Sequence, residues 1–426
     1  MKFLLISYND SDGVGQVVLN LNKSLNKKGH KSEMIVLSKT SYNNDSISEI
    51  PRWLIKRIFF YILEFLKKRY TDLFSFENTT INYNSIKKYI DRSEVIIIYS
   101  LHKFLDLQML SKIMEKNKIV FLRPLDMELA TGGCHVNYLF ETEEECKKYL
   151  SGCNNCPKLN FLNFFNISNS IFKKKKSFMK KYKPKILLEN EFTRNFYQNS
   201  PITKYALNSF VYLNTRESRK EKIDKTEARK LFNFENNERI LLFGTYNLNA
   251  PHKGGRLIEE ILKLFVNFSK KNNKNFKNEK MKMVTFGRRQ GIQINVPEID
   301  WVHLKEINND KKLNALYRSA DIFLSPSTGC NGPATIRESI VNDLPVIAFD
   351  HGEASEIISN NVNGYLVPNF DKQIFAESIF SVLFNKNFQD KNNLQKSLKL
   401  RYSAETEANM IIKHSNKDIN FEKIKF

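Results

Sequence analysis

The stretch that most constrains the fold is Asp321–Pro368. An apolar run ends at Pro326, and a loop of small residues follows it. Pro333 then stands where a helix is predicted to begin, because the fixed φ of proline suits the first helical position. Val346–Phe349 is a second short apolar run, and Gly352 opens another turn. Short apolar runs that alternate with helices in this way are typical of α/β folds with a parallel sheet.

The same stretch contains the parts of an anion site. A helix N-terminus that faces a small-residue loop attracts negative charge through its free N–H groups and its dipole. Glu338 lies about one and a half turns into the predicted helix. A carboxylate there can accept hydrogen bonds from sugar hydroxyls beside the anion. The stretch therefore indicates a nucleotide-sugar pocket.

Length and composition set the class of protein. A chain of 426 residues exceeds what one core usually supports, so two domains are expected. A hydrophobic content of 41% with 33 Phe excludes general disorder. No uninterrupted apolar run reaches about 18 residues, so no transmembrane helix is expected. The N-terminus, MKFLLISYND, is too short in its apolar part for a signal peptide and is predicted to be a buried first strand.

The formal net charge of +21 raises the question of an anionic partner. Nucleic acid is not predicted, because no helix-turn-helix, aromatic RNA-binding strand or zinc-finger spacing is present. Arg52–Tyr70 is a basic helix rich in aromatic residues, either buried in a domain or lying on a membrane surface. Lys173–Lys185 holds eight lysines with interleaved apolar residues, and is either a second membrane-facing helix or a solvated one. Together the two segments favour an anionic membrane surface.

Both halves of the chain have strand–helix alternation. In the first half, the strand Lys2–Ser7 precedes a loop with Gly13 and Gly15 and then a helix, which suggests a Rossmann-like unit. In the second half, Lys253 precedes two glycines at the mouth of a helix, where it can meet phosphate as a point charge. We expect domains over residues 1–208 and 209–405, with a C-terminal helix or tail over 406–426 that returns to the first domain.

Four of the five cysteines cluster in a segment spanning residues 131–157, namely Cys134, Cys146, Cys153 and Cys156. The pair Cys153 and Cys156 has the spacing of half a tetrahedral zinc site, which the other two cysteines could complete. Free structural thiols and disulfides are the alternatives. The expected reducing compartment favours zinc over disulfides. Four thiolates would leave no open coordination position, so a zinc ion here is predicted to be structural rather than catalytic.

These motifs together resemble family-four glycosyltransferases over nearly the whole chain. That family has the GT-B fold, in which two Rossmann-like domains face each other across a cleft. The first half resembles a branch that works on bacterial capsule, exopolysaccharide or lipopolysaccharide. The segments that carry the resemblance are Lys253-Gly254, Tyr317–Asp321, Gly332–Glu338, Leu344–Val346, Gly352–Ile358, Asn363–Val367, Asp126-Met127, Thr131–His135 and Cys153–Pro157.

The resemblance implies a role for each matching residue. Glu338 would hold the donor ribose and Lys253 the diphosphate, and the amides of Ala334 and Thr335 would meet the distal phosphate. Gly332 and Pro333 would shape this helix start, and Gly13 and Gly15 would let the first domain approach the diphosphate. The implied reaction is transfer with retention at the anomeric carbon, without a required catalytic metal.

Three positions depart from the family pattern. Cys330 stands where a glutamate usually contacts the transferred sugar, so the sugar identity and the activity itself are in question. Thr245 replaces the arginine that usually partners the phosphate lysine, and Arg288 or Arg289 would be the residue that compensates. Leu125 replaces a histidine before Asp126, which stays a candidate cleft residue of the first domain, with a structural capping role as the alternative.

The sequence thus predicts a cytoplasmic glycosyltransferase of the hexosyl-transferring kind, bound peripherally to the inner face of a membrane. It would move a sugar from a nucleoside-diphosphate sugar to a lipid-linked or polysaccharide acceptor in surface polysaccharide biosynthesis. The alternative is a catalytically degenerate GT-B protein that binds nucleotide or glycan without turnover.

Overall fold

The computed structural model describes most of the chain. The described residues are 1–41, 44–65, 74–99, 101–139, 144–159, 165–215, 223–272, 280–288, 292–329, 332–385, 392–416 and 422–423. Cys330 and Arg289 lie outside these ranges.

The chain forms two compact units. The first comprises Met1–Asn214 and Ala404–Phe426, and the second comprises Thr215–Ser403. The sequence predicts breaks after residues 208 and 405, so the observed boundaries are close to the predicted ones without coinciding with them.

The first unit alternates strands and helices. Its strands before the second unit are β1 (Lys2–Ile6), β2 (Lys31–Val36), β3 (Ile47–Glu49), β4 (Val95–Ile98), β5 (Ile119–Leu122), β6 (Tyr138–Leu139), β7 (Glu144–Glu145), β8 (Lys185–Leu188) and β9 (Leu207–Phe210). Its helices are α1 (Gly13–Lys27), α2 (Leu54–Phe65), α3 (Tyr83–Arg92), α4 (Leu107–Met114), α5 (Ile167–Tyr182) and α6 (Glu191–Asn199).

The second unit repeats the pattern. Its strands are β10 (Arg239–Asn247), β11 (Met281–Arg288), β12 (Asp300–Leu304), β13 (Ile322–Ser325), β14 (Val346–Phe349) and β15 (Gly364–Val367). Its helices are α7 (Lys225–Lys230), α8 (Ile258–Lys271), α9 (Asp310–Ser319), α10 (Ala334–Val341), α11 (Ala354–Ile357), α12 (Lys372–Phe380) and α13 (Asn392–Arg401). The six strands pair in parallel in the order β12-β11-β10-β13-β14-β15.

The C-terminal segment completes the first unit with α14 (Ala404–Ser415) and β16 (Glu422–Lys423). The eight-stranded sheet has the order β16-β9-β8-β5-β4-β1-β2-β3, with β16 antiparallel to β9 and the other pairs parallel. A buried ion pair anchors α14, since Nη2 of Arg123 lies 3.1 Å from Oε1 of Glu407 and neither side chain is exposed.

The central strands are near-continuous apolar runs, as expected where helices cover both faces of a parallel sheet. All residues of β4, β13 and β14 are buried. The fold class predicted from the sequence, two Rossmann-like α/β units of the GT-B kind, is confirmed.

Two predicted membrane-facing segments differ in outcome. On α5, Phe172, Phe178 and Met179 are buried in the core of the first unit, and even Lys175 is buried. The apolar residues of Lys173–Lys185 thus pack inward, and a membrane-facing role for this segment stays a prediction that would depend on its lysines. On α2, by contrast, the apolar side chains whose burial the structure describes are exposed, namely Leu54, Ile55, Ile58, Tyr61 and Ile62. No helix in the described ranges is long and apolar enough to cross a bilayer.

Candidate functional site

The N-terminus of α10 lacks the side-chain cap that seven other helices in the described part of the chain have. Asp or Asn side chains accept a backbone N–H at the starts of α1, α3, α4, α6, α7, α9 and α12. At α10, Pro333 is the N-cap residue, whereas the sequence predicts it to be the first residue of the helix. It offers no side-chain hydrogen bond to the helix start. The first turn has no acidic residue. The amides of Ala334 and Thr335 thus form a helix start suited to an anion.

Lys253 is held beside the loop that leads to this helix. It ends a short turn, Pro251–Lys253, after β10. Gly254 has φ +71°, and a Cβ there would lie 1.8 Å from the carbonyl oxygen of Pro326. The carbonyl oxygen of His252 accepts a bond from the Thr328 amide at 3.1 Å. Only glycine permits this close approach, which brings the loops after β10 and β13 together.

His351 joins this group from the loop after β14. Burial and, second, the charge of Lys253 lower the pKa of His351 to about 4. The Lys253 ammonium therefore lies within electrostatic reach of a neutral imidazole. The sequence analysis missed His351, although its place just after a buried strand was a usable signal, because ligand sites of open α/β sheets lie at the carboxyl ends of strands.

Glu338 is buried on α10 at 8% exposure and has a specific partner. The hydroxyl of Tyr317, from α9, donates to Oε2 of Glu338 at 2.7 Å. Tyr317 is itself held edge-on against the ring of Phe286. The predicted ribose-binding carboxylate is therefore oriented by a tyrosine for which the sequence analysis predicted no role.

A second buried carboxylate supports the loop before α10. Glu353 forms an ion pair with Arg337, and each side chain is 2% exposed. A Cβ on Gly332 would lie 2.7 Å from Oε2 of Glu353, so this loop requires the absence of a side chain. Cys330, predicted at the donor sugar, lies outside the described residues.

Among the described residues, Arg288 makes no hydrogen bond or ring contact that would place it beside Lys253. Its guanidinium lies 4.4 Å from the ring centroid of Tyr246. Its Nε lies 3.4 Å from Oε2 of Glu306, and both side chains are largely exposed. Arg288 stays a predicted phosphate partner at the end of β11.

A cavity of about 470 Å³ lies elsewhere in this unit. Its lining includes Arg239, Asp321 and Pro345, which stand at or just before the starts of β10, β13 and β14. It therefore opens at the opposite sheet edge from Lys253 and from the start of α10, and Asn342 at the end of α10 is part of its lining. Asp321 there is paired with Arg229 and Lys225, as expected for a structural carboxylate.

In the first unit the two predicted glycines have different surroundings. A Cβ on Gly15 would lie 2.6 Å from the carbonyl oxygen of Asn9, whereas one on Gly13 would meet nothing within 4 Å. The amide of Gly15 donates to Oδ1 of Asp12 at 2.7 Å. The start of α1 thus already holds a carboxylate, and Gly13 is the glycine that leaves open space.

Asp126 lies at the centre of a polar network after β5. Its Oδ2 is 2.6 Å from Nδ1 of His135, and its Oδ1 accepts the Glu128 amide. Nε2 of His135 is 2.7 Å from Oγ of Ser75, which is 2.5 Å from Nδ1 of His102. Both nitrogens of His135 are thus engaged in local hydrogen bonds.

The charges of Asp126 and His135 determine each other's protonation state. Burial alone would raise the pKa of Asp126, but the neighbouring His135 outweighs it and lowers the pKa. Burial alone would lower the pKa of His135, and Asp126 raises it. The Asp126 carboxylate therefore stays ionised, and its side chain is 39% exposed. With Glu128 it lines a small cavity at the ends of β4 and β5.

The four predicted zinc ligands are near one another but do not form a preassembled site. Burial raises the pKa of Cys153 to about 12. A bond between the thiols of Cys134 and Cys156 raises the pKa of the first and lowers that of the second. Cys146 lies within electrostatic range of both. Among the described residues, the ligand atoms that lie within 4.8 Å of one another belong to Asp126, Glu128 and His135, not to three cysteines.

Comparison with known structures defines the fold class. The chain resembles sucrose-phosphate synthase from Thermosynechococcus elongatus, with a TM-score of 0.64, 12% identity, and coverage of 97% of this chain and 98% of that one. It also resembles HepE of Anabaena in complex with UDP-glucose, with a TM-score of 0.61, 11% identity, and coverage of 97% and 99%. The chain therefore has a GT-B glycosyltransferase fold.

Sequence comparison identifies the second unit more closely. Residues 258–400 match the family model Glycosyl transferases group 1, so this part of the chain is similar to that family. The amylovoran biosynthesis glycosyltransferase AmsK of Erwinia amylovora is 30% identical over 119 residues. This alignment covers 26% of this chain and 28% of that relative, so the likeness concerns only part of either protein. The resemblance to family-four glycosyltransferases predicted from the motifs is confirmed.

Proposed function

We propose that this protein transfers a hexosyl-type sugar, with retention, from a nucleoside-diphosphate sugar to a lipid-linked or polysaccharide acceptor in surface polysaccharide biosynthesis. The observation that carries the proposal is that the loop of Lys253 packs against the loop after β13, which precedes the uncapped start of α10. The same helix carries Glu338, whose carboxylate is oriented by Tyr317. The matched glycosyltransferase group 1 domain covers α10 and Glu338.

The chemistry follows from where charge develops. As the bond from the anomeric carbon to the diphosphate breaks, negative charge grows on the leaving oxygen. The Lys253 ammonium and the amides of Ala334 and Thr335 stabilise that charge, and they are already placed before the reaction begins. Glu338, held by the Tyr317 hydroxyl, accepts bonds from the ribose hydroxyls. In this proposal Lys253 and the start of α10 supply the positive charge that a metal ion would otherwise bring to the diphosphate.

The first unit would supply the acceptor side. Asp126 is an ionised, part-exposed carboxylate fixed by His135 and by the Glu128 amide. A carboxylate in this state can accept a hydrogen bond from an acceptor hydroxyl. Gly13, which has open space where a side chain would be, would leave room for the donor diphosphate.

The test is turnover with a panel of nucleoside-diphosphate sugars. Lys253→Ala should lower kcat/KM by about a hundredfold or more, since one preorganised charge on the leaving group is removed. Glu338→Ala should weaken nucleotide binding strongly, because the ribose loses its acceptor. Lys263→Ala is the matched control, because Lys263 is an exposed lysine on α8 paired only with Glu259 among the described residues.

Near-normal turnover in both site variants would refute the proposal. Nucleotide binding without turnover on any acceptor would instead support the degenerate alternative, which Cys330 in place of an acid suggests. Thermal shift with each nucleotide separates these outcomes, because bound ligand raises Tm through linkage.

We also propose that Cys134, Cys146, Cys153 and Cys156 bind structural zinc after small side-chain rotations. Their burial and mutual proximity support this, while the separation of their sulfurs means that the ion itself would have to draw them together. Metal analysis of protein purified without chelator should find about one equivalent of zinc. Four titratable thiols with no zinc would exclude the site.

A further inference from the structure

The helix α2 presents an exposed apolar face. Five of its residues that recur at helical spacing, together with Trp53 just before it, are each at least half exposed. This surface, here called the α2 face, consists of Trp53 (50%), Leu54 (70%), Ile55 (76%), Ile58 (53%), Tyr61 (59%) and Ile62 (53%).

The α2 face is a stable feature of the surface rather than a frayed end. The amide of Trp53 donates to the carbonyl oxygen of Thr80 at 2.9 Å. Nζ of Lys56 donates to the carbonyl oxygen of Ile81 at 2.7 Å, and the Arg52 guanidinium donates to that of Leu37. The polar side of the helix is thus tied to the first unit, which turns the apolar side outward. A contiguous exposed apolar patch of this kind marks a site of interaction.

We propose that the α2 face docks on an anionic membrane surface. Leucine and isoleucine side chains of an amphipathic helix can lie among acyl chains, while Trp53 and Tyr61 are the aromatic types favoured at the headgroup level. Arg57 is exposed beside the apolar residues, and in sequence Lys67, Lys68 and Arg69 follow the helix. Such basic residues are attracted by anionic lipids.

Charge favours this occupant over a second copy of the chain. The protein has a formal net charge of +21, so two copies approaching through a face bordered by arginine would repel each other. An anionic bilayer offers both the apolar layer and the opposite charge. This inference goes beyond sugar transfer and holds whether or not the proposed activity is found.

The test is binding to vesicles of phosphatidylcholine alone or with phosphatidylglycerol. In a Trp301→Phe background Trp53 is the sole tryptophan, and its fluorescence should shift to the blue when anionic vesicles are added. The double variant Ile55→Ser/Ile58→Ser should bind at least about tenfold more weakly. Arg57→Glu should weaken binding to anionic vesicles about fivefold.

The matched control is Leu231→Ser/Leu400→Ser, which removes two apolar side chains of similar exposure from the second unit. This control should bind vesicles as the unchanged protein does, and circular dichroism should show both double variants folded. Equal vesicle binding by the two double variants, or none by the unchanged protein, would overturn the proposal. So would a dimer in sedimentation velocity that the Ile55→Ser/Ile58→Ser change abolishes, since the face would then be a self-association surface.

Discussion

At the scale of single residues, the candidate donor site depends on the positive charge of Lys253 and on the buried imidazole of His351. Lys253 follows β10 and His351 follows β14, and these strands are separated in the sheet by β13. His351 stays neutral near pH 7 because its pKa is about 4, first through burial and second through Lys253. As pH falls from about 6.5 toward 4, the unfolded chain binds the proton more readily than the folded one, so this residue lowers acid stability.

A bound diphosphate should raise the pKa of His351. Negative charge next to Lys253 offsets the ammonium and favours the imidazolium, so the shift is upward. Adding UDP to the ¹⁵N-histidine-labelled protein should move the titration of His351 to higher pH, and Lys253→Ala should raise the pKa without ligand. His303, bonded to the Thr285 hydroxyl, is an internal reference. An unchanged His351 titration with saturating UDP would show that the diphosphate binds elsewhere.

At the scale of elements, the starts of α10 and α1 differ in how well they can bind an anion. The start of α10 has no side-chain cap, while that of α1 carries Asp12, whose carboxylate is also bonded to the side chain of Asn9. An anion is therefore favoured at α10 and opposed at α1 unless Asp12 moves. Among the residues predicted for the donor, those on α10 have the stronger physical basis.

Substitutions of the two glycines of α1 should distinguish an effect on packing from an effect on the approach of the ligand. Gly15→Ala places a Cβ against the backbone of Asn9 and should destabilise the protein by about 1–3 kcal/mol. Gly13→Ala meets open space and should change stability by less than about 0.5 kcal/mol. Urea denaturation measures both. If the diphosphate approaches Gly13, then Gly13→Ala lowers turnover in a fully stable protein, and unchanged turnover would remove Gly13 from the site.

Much of this arrangement was predictable from local pattern, and the failures have physical reasons. Buried strands, the glycines after Lys253 and the helix with Glu338 follow from spacing and turn chemistry. The orientation of α2 and α5 does not, because both helices carry apolar and basic residues and only tertiary packing decides which face is covered. Tyr317, the partner of Glu338, and His351, the neighbour of Lys253, can be assigned to the site only when the strand order is known. The sequence does not give that order.

At the scale of the whole molecule, the C-terminal helix α14 is attached to the first unit by the apolar packing of Ala408 and Ile411 and by a buried charge pair. Nη2 of Arg123 contacts Glu407 and donates to the carbonyl oxygen of Val211 at 2.8 Å. Nε and Nη1 of Arg123 are buried without hydrogen-bond partners among the described residues. Oε2 of Glu407 also accepts the amide of Asn214, where the chain leaves the first unit. From the helix with which the chain returns to the first unit, Glu407 thus contacts both Asn214, where the chain leaves that unit, and the buried guanidinium of Arg123.

Removing the charge of Glu407 should therefore destabilise the first unit selectively. Glu407→Gln leaves Arg123 buried and unpaired, which should cost about 3–5 kcal/mol. Glu405→Gln is the control on the same helix, since the pair of Glu405 with Lys28 is exposed and should contribute less than about 1 kcal/mol. The chain has two tryptophans, Trp53 in the first unit and Trp301 in the second, so each can report one unit after the other is changed to Phe. In urea, Glu407→Gln should lower the midpoint reported by Trp53 far more than that reported by Trp301. Equal midpoint losses for the Glu407 and Glu405 variants would mean that the buried pair does not anchor the helix, and equal losses at both tryptophans would mean that the two units unfold as one.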